Sequence, residues 1–279
     1  MNEIVAKQEL APKIKLFKVH APDIAAKAQP GQFLILVPGE KGERIPLTIA
    51  DYDSREGTVT FVFNEVGKTT MQLGCLKEGE SIPNIAGPLG KPSDIKKFGR
   101  VLCVGGGVMI APLYLQVKAL RDAGNDVTTV IGARIKDLLI FEEEMKNASN
   151  EFYVTTDDGS RGFQGFSFLE ELLKTKPFQR AVVMGSVVTM RTVADLTRPH
   201  GVPTVVTLTP IMVDGMGMCG VCRVAVGGET KFACIDGPEF DGHQVDFDEL
   251  IQRQRMFLPE ERLSSLLWEK LGGGCHGRT

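Results

Sequence analysis

At about residue 99 the chain changes the period of its pattern, and that change limits the folds open to it. Before it, short alternating runs such as Ile14-Lys-Leu-Phe-Lys-Val19, Phe33-Leu-Ile-Leu-Val37 and Thr58-Val-Thr-Phe-Val-Phe63 are punctuated by Gly and Pro. Alternation turns one side of each run to a core and the other to water, so short strands at this spacing predict a small antiparallel β-barrel over residues 1–98. After it, apolar runs end in glycine and lead into helical patterns. Val101-Leu-Cys-Val104 enters Gly105-Gly106-Gly107 and a helix reaching about Ala123; Val127 to Ile131 ends at Gly132-Ala-Arg134; Ala181-Val-Val-Met184 ends at Gly185-Ser186. Strand, glycine turn and helix in series predict an open parallel α/β sheet over 99–206, whose ligands bind beyond the carboxyl ends of its strands.

A third segment, 207–245, carries Asp214-Gly-Met-Gly-Met-Cys219-Gly-Val-Cys222 and, after eleven intervening residues, Cys234. A plant-type 2Fe-2S cluster uses Cys-x4-Cys-x2-Cys and a more distant fourth Cys. Here Asp214 stands where the first thiolate would be, so the reading is a cluster held by Asp214, Cys219, Cys222 and Cys234. Gly215, Gly217 and Gly220 let a loop wrap closely and turn backbone N–H groups toward negative charge. Zinc is the main rival, since it accepts carboxylate oxygen beside thiolates. A disulfide fits less well, because no apolar signal segment opens the chain. Arg223 to Val226 and Lys231 to Cys234 read as a hairpin. Cys75, Cys103 and Cys275 lie apart from this loop and read as plain buried or free thiols.

The final segment, 246–279, reads as a helical tail: Pro259 to Lys270 is polar, with Leu263, Leu266, Leu267 and Leu271 at helical spacing, ahead of Gly272-Gly-Gly274. Cys275 and His276 beyond it read as a frayed end.

At 279 residues the chain suits two domains and a small appendage. With 43% hydrophobic residues it has ample material for cores, and a formal net charge of −3 provides no broad cationic field for nucleic acid or an anionic membrane. No run approaches the roughly 18 consecutive apolar residues of a membrane helix, so a cytoplasmic protein is expected.

Several weaker signals recur in order. Arg44-Ile-Pro46-Leu47-Thr48 offers a guanidinium, a fixed turn and a hydroxyl or N–H, although an edge-strand Arg before a turn reads the same way. Gly67-Lys68-Thr69-Thr70 offers a pyrophosphate cradle at a helix start, or simply a Thr cap. Gly87-Pro-Leu-Gly90 follows. Gly105 to Gly107 permits close phosphate approach without completing Gly-x-Gly-x-x-Gly, and Asp157-Asp158-Gly159 is a polar turn or a nucleotide contact.

This order, a barrel with Arg-x-Pro-Leu-Thr, a Gly105-Gly-Gly nucleotide segment, a Cys219/Cys222/Cys234 loop and Asp236-Gly-Pro238, resembles the ferredoxin-NADP reductase superfamily over nearly the whole chain. Within it, the chain resembles the branch of dihydroorotate dehydrogenase electron-transfer subunits. It is more similar still to the small subunits of electron-bifurcating NADH-dependent ferredoxin:NADP oxidoreductases, which share Asp and three Cys where the dihydroorotate branch has four Cys. The resemblance implies FAD against the barrel at Arg44, Pro46, Leu47, Thr48, Gly67 to Thr70, Gly87 and Gly90. It implies NAD(H) at Gly105 to Gly107, Ala111, Pro112, Gly132 to Arg134, Asp157, Asp158 and Gly185. Met109 and Ser186 depart from the family, which usually has Gly and Pro there. The implied activity is hydride exchange with NAD(H) and single-electron exchange with a larger subunit carrying another flavin and 4Fe-4S clusters, and through it with ferredoxin and NADP(H). Alternatives are an electron-transfer subunit for dihydroorotate oxidation or for sulfide or polysulfide reduction, and, in another class, a zinc-stabilised module without redox work.

Overall fold

The computed structural model describes residues 2–39 and 42–270. The first part consists of β1 (Asn2–Ala11), β2 (Ile14–His20), α1 (Pro22–Ala25), β3 (Phe33–Val37), β4 (Ile45–Asp53), β5 (Thr58–Asn64), α2 (Lys68–Gly74), β6 (Ser81–Ile82) and β7 (Asn84–Leu89). Its seven strands run in the order β6-β1-β2-β5-β4-β3-β7, each pair antiparallel. The two edge strands of that order, β6 and β7, are separated in sequence by Pro83 alone, so the sheet curls until its ends meet. Register shifts in the β1–β2, β3–β7 and β4–β5 pairs supply the local bends that such curvature needs. The alternating residues fill the interior: Phe17, Phe61 and Phe63 are fully buried, and Phe17 meets Phe63 edge-on at 5.1 Å between centroids.

The second part comprises β8 (Arg100–Gly106), α3 (Ile110–Asp122), β9 (Asp126–Ala133), α4 (Glu142–Ala148), β10 (Glu151–Thr156), β11 (Phe163–Gln164), α5 (Phe168–Thr175), β12 (Arg180–Met184), α6 (Val187–Thr197) and β13 (Thr204–Thr207). Its sheet order is β11-β10-β9-β8-β12-β13, all parallel. The chain winds outward from β8 in one direction and then from β12 in the other. A crevice opens beyond the carboxyl ends where the order reverses, between the turns after β8 and β12. The continuous apolar strands foreseen for a sheet covered on both faces are present, with Val101 to Val104 buried.

The rest forms β14 (Arg223–Val226), β15 (Glu229–Phe232), α7 (Ala233–Asp236), β16 (Glu239–Asp241), α8 (Phe247–Gln254) and α9 (Leu258–Lys270). β14 and β15 are joined by Gly227 and Gly228, both at positive φ, as a two-residue hairpin turn requires. The expected second strand ends earlier than its sequence suggests. Phe232 N–H donates to the Asp236 carboxylate at 2.7 Å, which closes a helical turn, and Cys234 therefore sits on α7. β16 returns to the second sheet and pairs antiparallel with β13. On α9, Leu263, Leu266 and Leu267 remain about half exposed where the helix meets α2, and Leu271, Cys275 and His276 lie outside the described residues.

The parts share cores rather than merely touching. Ala11, Ile14, Ala50 and Val62 of the barrel join Val101 of β8 and Ile110 and Val117 of α3 in one cluster. A polar junction ties all three together: the Glu239 carboxyl accepts from Ser93 Oγ at 2.6 Å and from Gln116 Nε2, while Lys91 N–H donates to Gly237 O at 2.7 Å. Loss of solvent around the Glu239 carboxyl raises its pKa, against the opposing pull of these donors and of Arg180. A carboxyl that holds its proton longer when folded favours folding most below its ordinary value of 4.5, and that contribution is lost as pH rises. Glu239→Gln should therefore raise the thermal midpoint at pH 8 and lose the advantage near pH 4. Glu239→Ala should cost roughly 1–3 kcal/mol at either pH by stranding Ser93 and Gln116; calorimetry across pH tests both.

Candidate functional site

A cavity of about 630 Å³ lies between barrel and sheet, at the crevice that the strand order creates. From the barrel it is lined by Pro46, Leu47 and Thr48 on β4 and by Thr70 on α2; from the sheet by Gly106, Gly107, Pro112, Arg134, Asp157 and Gly185. These groups lie between 36 and 139 residues apart in sequence, yet the fold delivers them to one place. Gly106 and Gly185 oppose each other across the switch point, a Cβ on Gly106 coming 3.7 Å from the Gly185 Cα. Gly107 adopts φ +58, which places the backbone turn at the mouth without a side chain over it.

The other candidate residues have different surroundings. Arg44 Nε donates to Val213 O at 2.6 Å, reaching toward the cysteine loop. Gly67 caps α2 through the Thr70 hydroxyl, and Thr69 Oγ1 donates to Glu43 at 3.1 Å. Lys68 opens the same helix. Gly87 and Gly90 are close-packing positions: an added Cβ would meet Leu34 at 2.5 Å at the first, and both the Phe33 ring and Pro238 at 2.9 Å at the second. Gly105 lets α3 settle on β8, since a Cβ there would lie 2.8 Å from Leu113, and Ala111 is buried on the first turn of the same helix. Asp158 caps its own turn. Its carboxylate accepts from Ser160 Oγ at 2.6 Å and Ser160 N–H at 3.0 Å, and these bonds hold its pKa below the ordinary carboxylate value. The cleft also contains Asn64, Thr207, Leu208 and Met212, which motif reading passed over, and Pro238 of the Asp236-Gly-Pro238 motif. For Thr207 a signal existed, because it ends a strand of the parallel sheet, but Thr204 to Thr207 is too short to stand out as one.

The cysteine loop presses on the barrel side of this cleft. Gly215, Gly217 and Gly220 all adopt positive φ. At Gly215 an added Cβ would lie 2.8 Å from both Ile35 and Leu89, so the loop touches β3 and β7 directly. Asp214 closes the loop with both oxygens, accepting from Met216 N–H at 2.9 Å and Cys219 N–H at 2.7 Å. The Met216 N–H above all holds its carboxyl pKa below the ordinary value. Cys222 and Cys234 are buried, free of disulfide, and their sulfurs lie 3.2 Å apart. Burial, and then the neighbouring Cys222, push the Cys234 thiol up, with the Gly217 N–H pulling the other way. Cys219 is exposed, and from α8 an Arg253 nitrogen donates to Val221 O at 3.0 Å. Cys103 is the buried isolated thiol expected, whereas Cys75 is disulfide-bonded, which corrects its reading as a plain thiol.

Among the described residues no group of three or more His, Cys, Asp or Glu side chains converges as a single-ion site. The donors instead fall into two pairs, Asp214 with Cys219 and Cys222 with Cys234. A two-iron cluster takes two protein ligands at each iron, and the Gly-rich turns suit its negative charge, so the residues present fit that group. The cleft likewise fits a flat ring system with phosphates, having apolar walls from both parts, glycine turns at strand ends and a buried hydroxyl, Thr207 Oγ1, with no partner among the described residues.

A barrel facing a doubly wound nucleotide sheet, with a cysteine loop against both, defines an oxidoreductase of the ferredoxin-NADP reductase fold. Residues 209–246 match the model of the iron-sulfur cluster binding domain of dihydroorotate dehydrogenase B. A Thermotoga maritima protein described as a dihydroorotate dehydrogenase B (NAD(+)) electron transfer subunit homolog is 47% identical, with 98% of this chain and 97% of that one covered. A Clostridium beijerinckii protein, described only by its place in the adh 3′ region, is 48% identical over 99% of this chain and 97% of its own. A chain from a solved structure of the NADH-dependent reduced ferredoxin-NADP oxidoreductase, a study of flavin-based electron bifurcation, is 46% identical with a TM-score of 0.91, covering 97% of this chain and 98% of that one. The chain belongs to the family of dihydroorotate dehydrogenase B electron-transfer subunits and their homologues.

The glycine contacts allow a direct test of the loop's seating. Gly215→Ala should destabilise the chain by about 1 kcal/mol or more, because the added methyl meets both an unfavourable φ and the β3–β7 surface; urea unfolding of the two chains side by side measures it.

Proposed function

We propose that the chain is the small electron-transfer subunit of an NADH-dependent ferredoxin:NADP oxidoreductase, working with FAD, NAD(H) and a 2Fe-2S cluster. The observation that carries this is the seating of the Asp214–Cys234 loop on β3 and β7, of which β3 pairs with β4 and itself lines the cleft through Phe33. A group that moves single electrons thereby lies against a site shaped for a hydride-exchanging ring pair. FAD, when bound, supplies the exchange between two-electron chemistry with NAD(H) and one-electron chemistry with the cluster.

The chain's own residues do the holding. Pro46, Leu47 and Thr48 present a wall and a polar edge to the flavin. Arg44, Gly67 to Thr70, Gly87 and Gly90 shape the barrel side around it, Arg44 by anchoring Val213 and the two later glycines by close packing. Gly105 to Gly107, Ala111, Pro112 and Gly185 open the nucleotide side for NAD(H), with Arg134, Asp157 and Asp158 at the outer strand ends. Asp214, Cys219, Cys222 and Cys234 hold the cluster. Exclusion of water follows from the shared apolar core beneath the cleft.

Membership in this family implies a larger partner subunit. In this reading the partner carries a second flavin and 4Fe-4S clusters, and passes electrons onward to ferredoxin and NADP(H). The exposed rim of the cysteine loop supports a docked neighbour there: Val213, Met216, Met218 and Ile235 stand out around exposed Cys219, with Met218 at 85% exposure. Among the described residues no helix is long and apolar enough to cross a membrane, and a cytoplasmic setting is proposed with the rest. The match of 209–246 to the dihydroorotate dehydrogenase B domain favours one second reading, a partner that oxidises dihydroorotate. The carboxylate at Asp214 favours the first.

Anaerobic titration of the purified complex with NADH should bleach flavin absorbance and raise the electron paramagnetic resonance of a reduced 2Fe-2S cluster. A protein with neither flavin nor iron absorbance contradicts the reading. Asp214→Ala should alter that resonance and lower iron content, while an unchanged spectrum and iron count would remove Asp214 from the ligand set.

A further inference from the structure

Four buried side-chain polar atoms have no hydrogen-bond partner among the described residues: Thr58 Oγ1, Thr128 Oγ1, Thr207 Oγ1 and Arg253 Nε. Of these residues Thr207 alone lines the cleft, and it is 1% exposed. A hydroxyl withdrawn from water without a partner costs free energy, and a valine of the same shape would avoid that cost. The same short strand shows the ordinary solution three residues earlier. Thr204 Oγ1 lies 2.6 Å from Thr197 Oγ1 and donates to Val202 O at 2.9 Å.

Register locates Thr207 at the wall of the cleft, with its hydroxyl buried there. On one side β12 places Val183 opposite Val206, so Met184, which precedes Gly185, is next to Thr207. On the other side Thr207 pairs with Glu239, which follows Pro238. Pro238 packs beside Phe33 and Gly90, and Phe33 pairs with Thr48 on β4. Thr207 thus stands between the glycine turn of the nucleotide side and the barrel strand of the flavin side. Residues paired across an antiparallel ladder share a face, and the Glu239 carboxyl on that face is already engaged by Ser93 and Gln116.

We propose that the Thr207 hydroxyl is a positioning contact that hydrogen-bonds a carbonyl- or amide-bearing ring edge in the cleft, the isoalloxazine of FAD or the carboxamide of the nicotinamide. This rests on the reading of the cleft as the flavin and nucleotide site. The hydroxyl acts on the geometry of the ring pair, and its neighbours on the sheet, Met184 and Glu239, leave it to the ligand.

The test uses the full-length chain as Thr207→Val, which keeps the volume of the buried position, and Thr207→Ser, which keeps the hydroxyl. FAD affinity is read from flavin fluorescence released on dilution, and NAD+ affinity from the perturbation of the flavin spectrum in the FAD-loaded protein. Thr207→Val should weaken one of the two by about five- to tenfold, with Thr207→Ser close to wild type. Weakened FAD retention identifies the flavin as the partner, and weakened NAD+ binding with FAD retained identifies the nicotinamide. Wild-type affinity for both in Thr207→Val overturns the proposal while leaving the site reading intact. A wild-type chain that holds neither FAD nor NAD+ overturns the site reading itself.

Discussion

Three residue pairs between β13 and β16, Val205 with Asp241, Val206 with Phe240 and Thr207 with Glu239, decide where the segment after β13 goes. Without them the cysteine loop would be an appendage on a linker. With them, the segment carrying Cys234 becomes an edge of the nucleotide sheet, and the loop before it is drawn across the barrel. The Glu239 junction and the Lys91 to Gly237 bond finish what the ladder begins, since each ties that edge to the barrel linker or to α3. By making one sheet from two parts of the sequence, the fold fixes the position of the cysteine loop relative to the cleft.

The loop itself follows a different logic. Its path is set by glycines that turn through positive φ and by one carboxylate that gathers two backbone N–H groups. Asp214 therefore organises the loop in its own right. The buried pair Cys222 and Cys234 is the opposite case: burial, and then the neighbouring Cys222, push the Cys234 thiol up. Positive charge arriving with a metal favours the thiolate at that position.

Much of this was legible in the residues because period and spacing are local properties. The barrel could be read from alternation in Ile14 to Val19 and Thr58 to Phe63, the sheet from glycines after Val104, Ile131 and Met184, and the loop from the intervals among Asp214, Cys219 and Cys222. What the sequence hid was tertiary. Arg44 carries no mark that its guanidinium reaches Val213, 169 residues away. Nothing local to Gly87 and Gly90 shows that they pack against Leu34, Phe33 and Pro238. β13 and β16 are four and three residues long, too brief for a periodic signal, and they take their identity from each other. Thr207 was missed for that reason.

The same ladder has a consequence for the order in which the protein is made. A chain emerging from its amino end completes β13 more than thirty residues before β16, leaving the parallel sheet with an unpaired edge during synthesis. The barrel meanwhile lacks the loop that rests on β3 and β7. Neither earlier part reaches its final surface until the last segment arrives, so the iron-binding loop and the sheet it caps mature together.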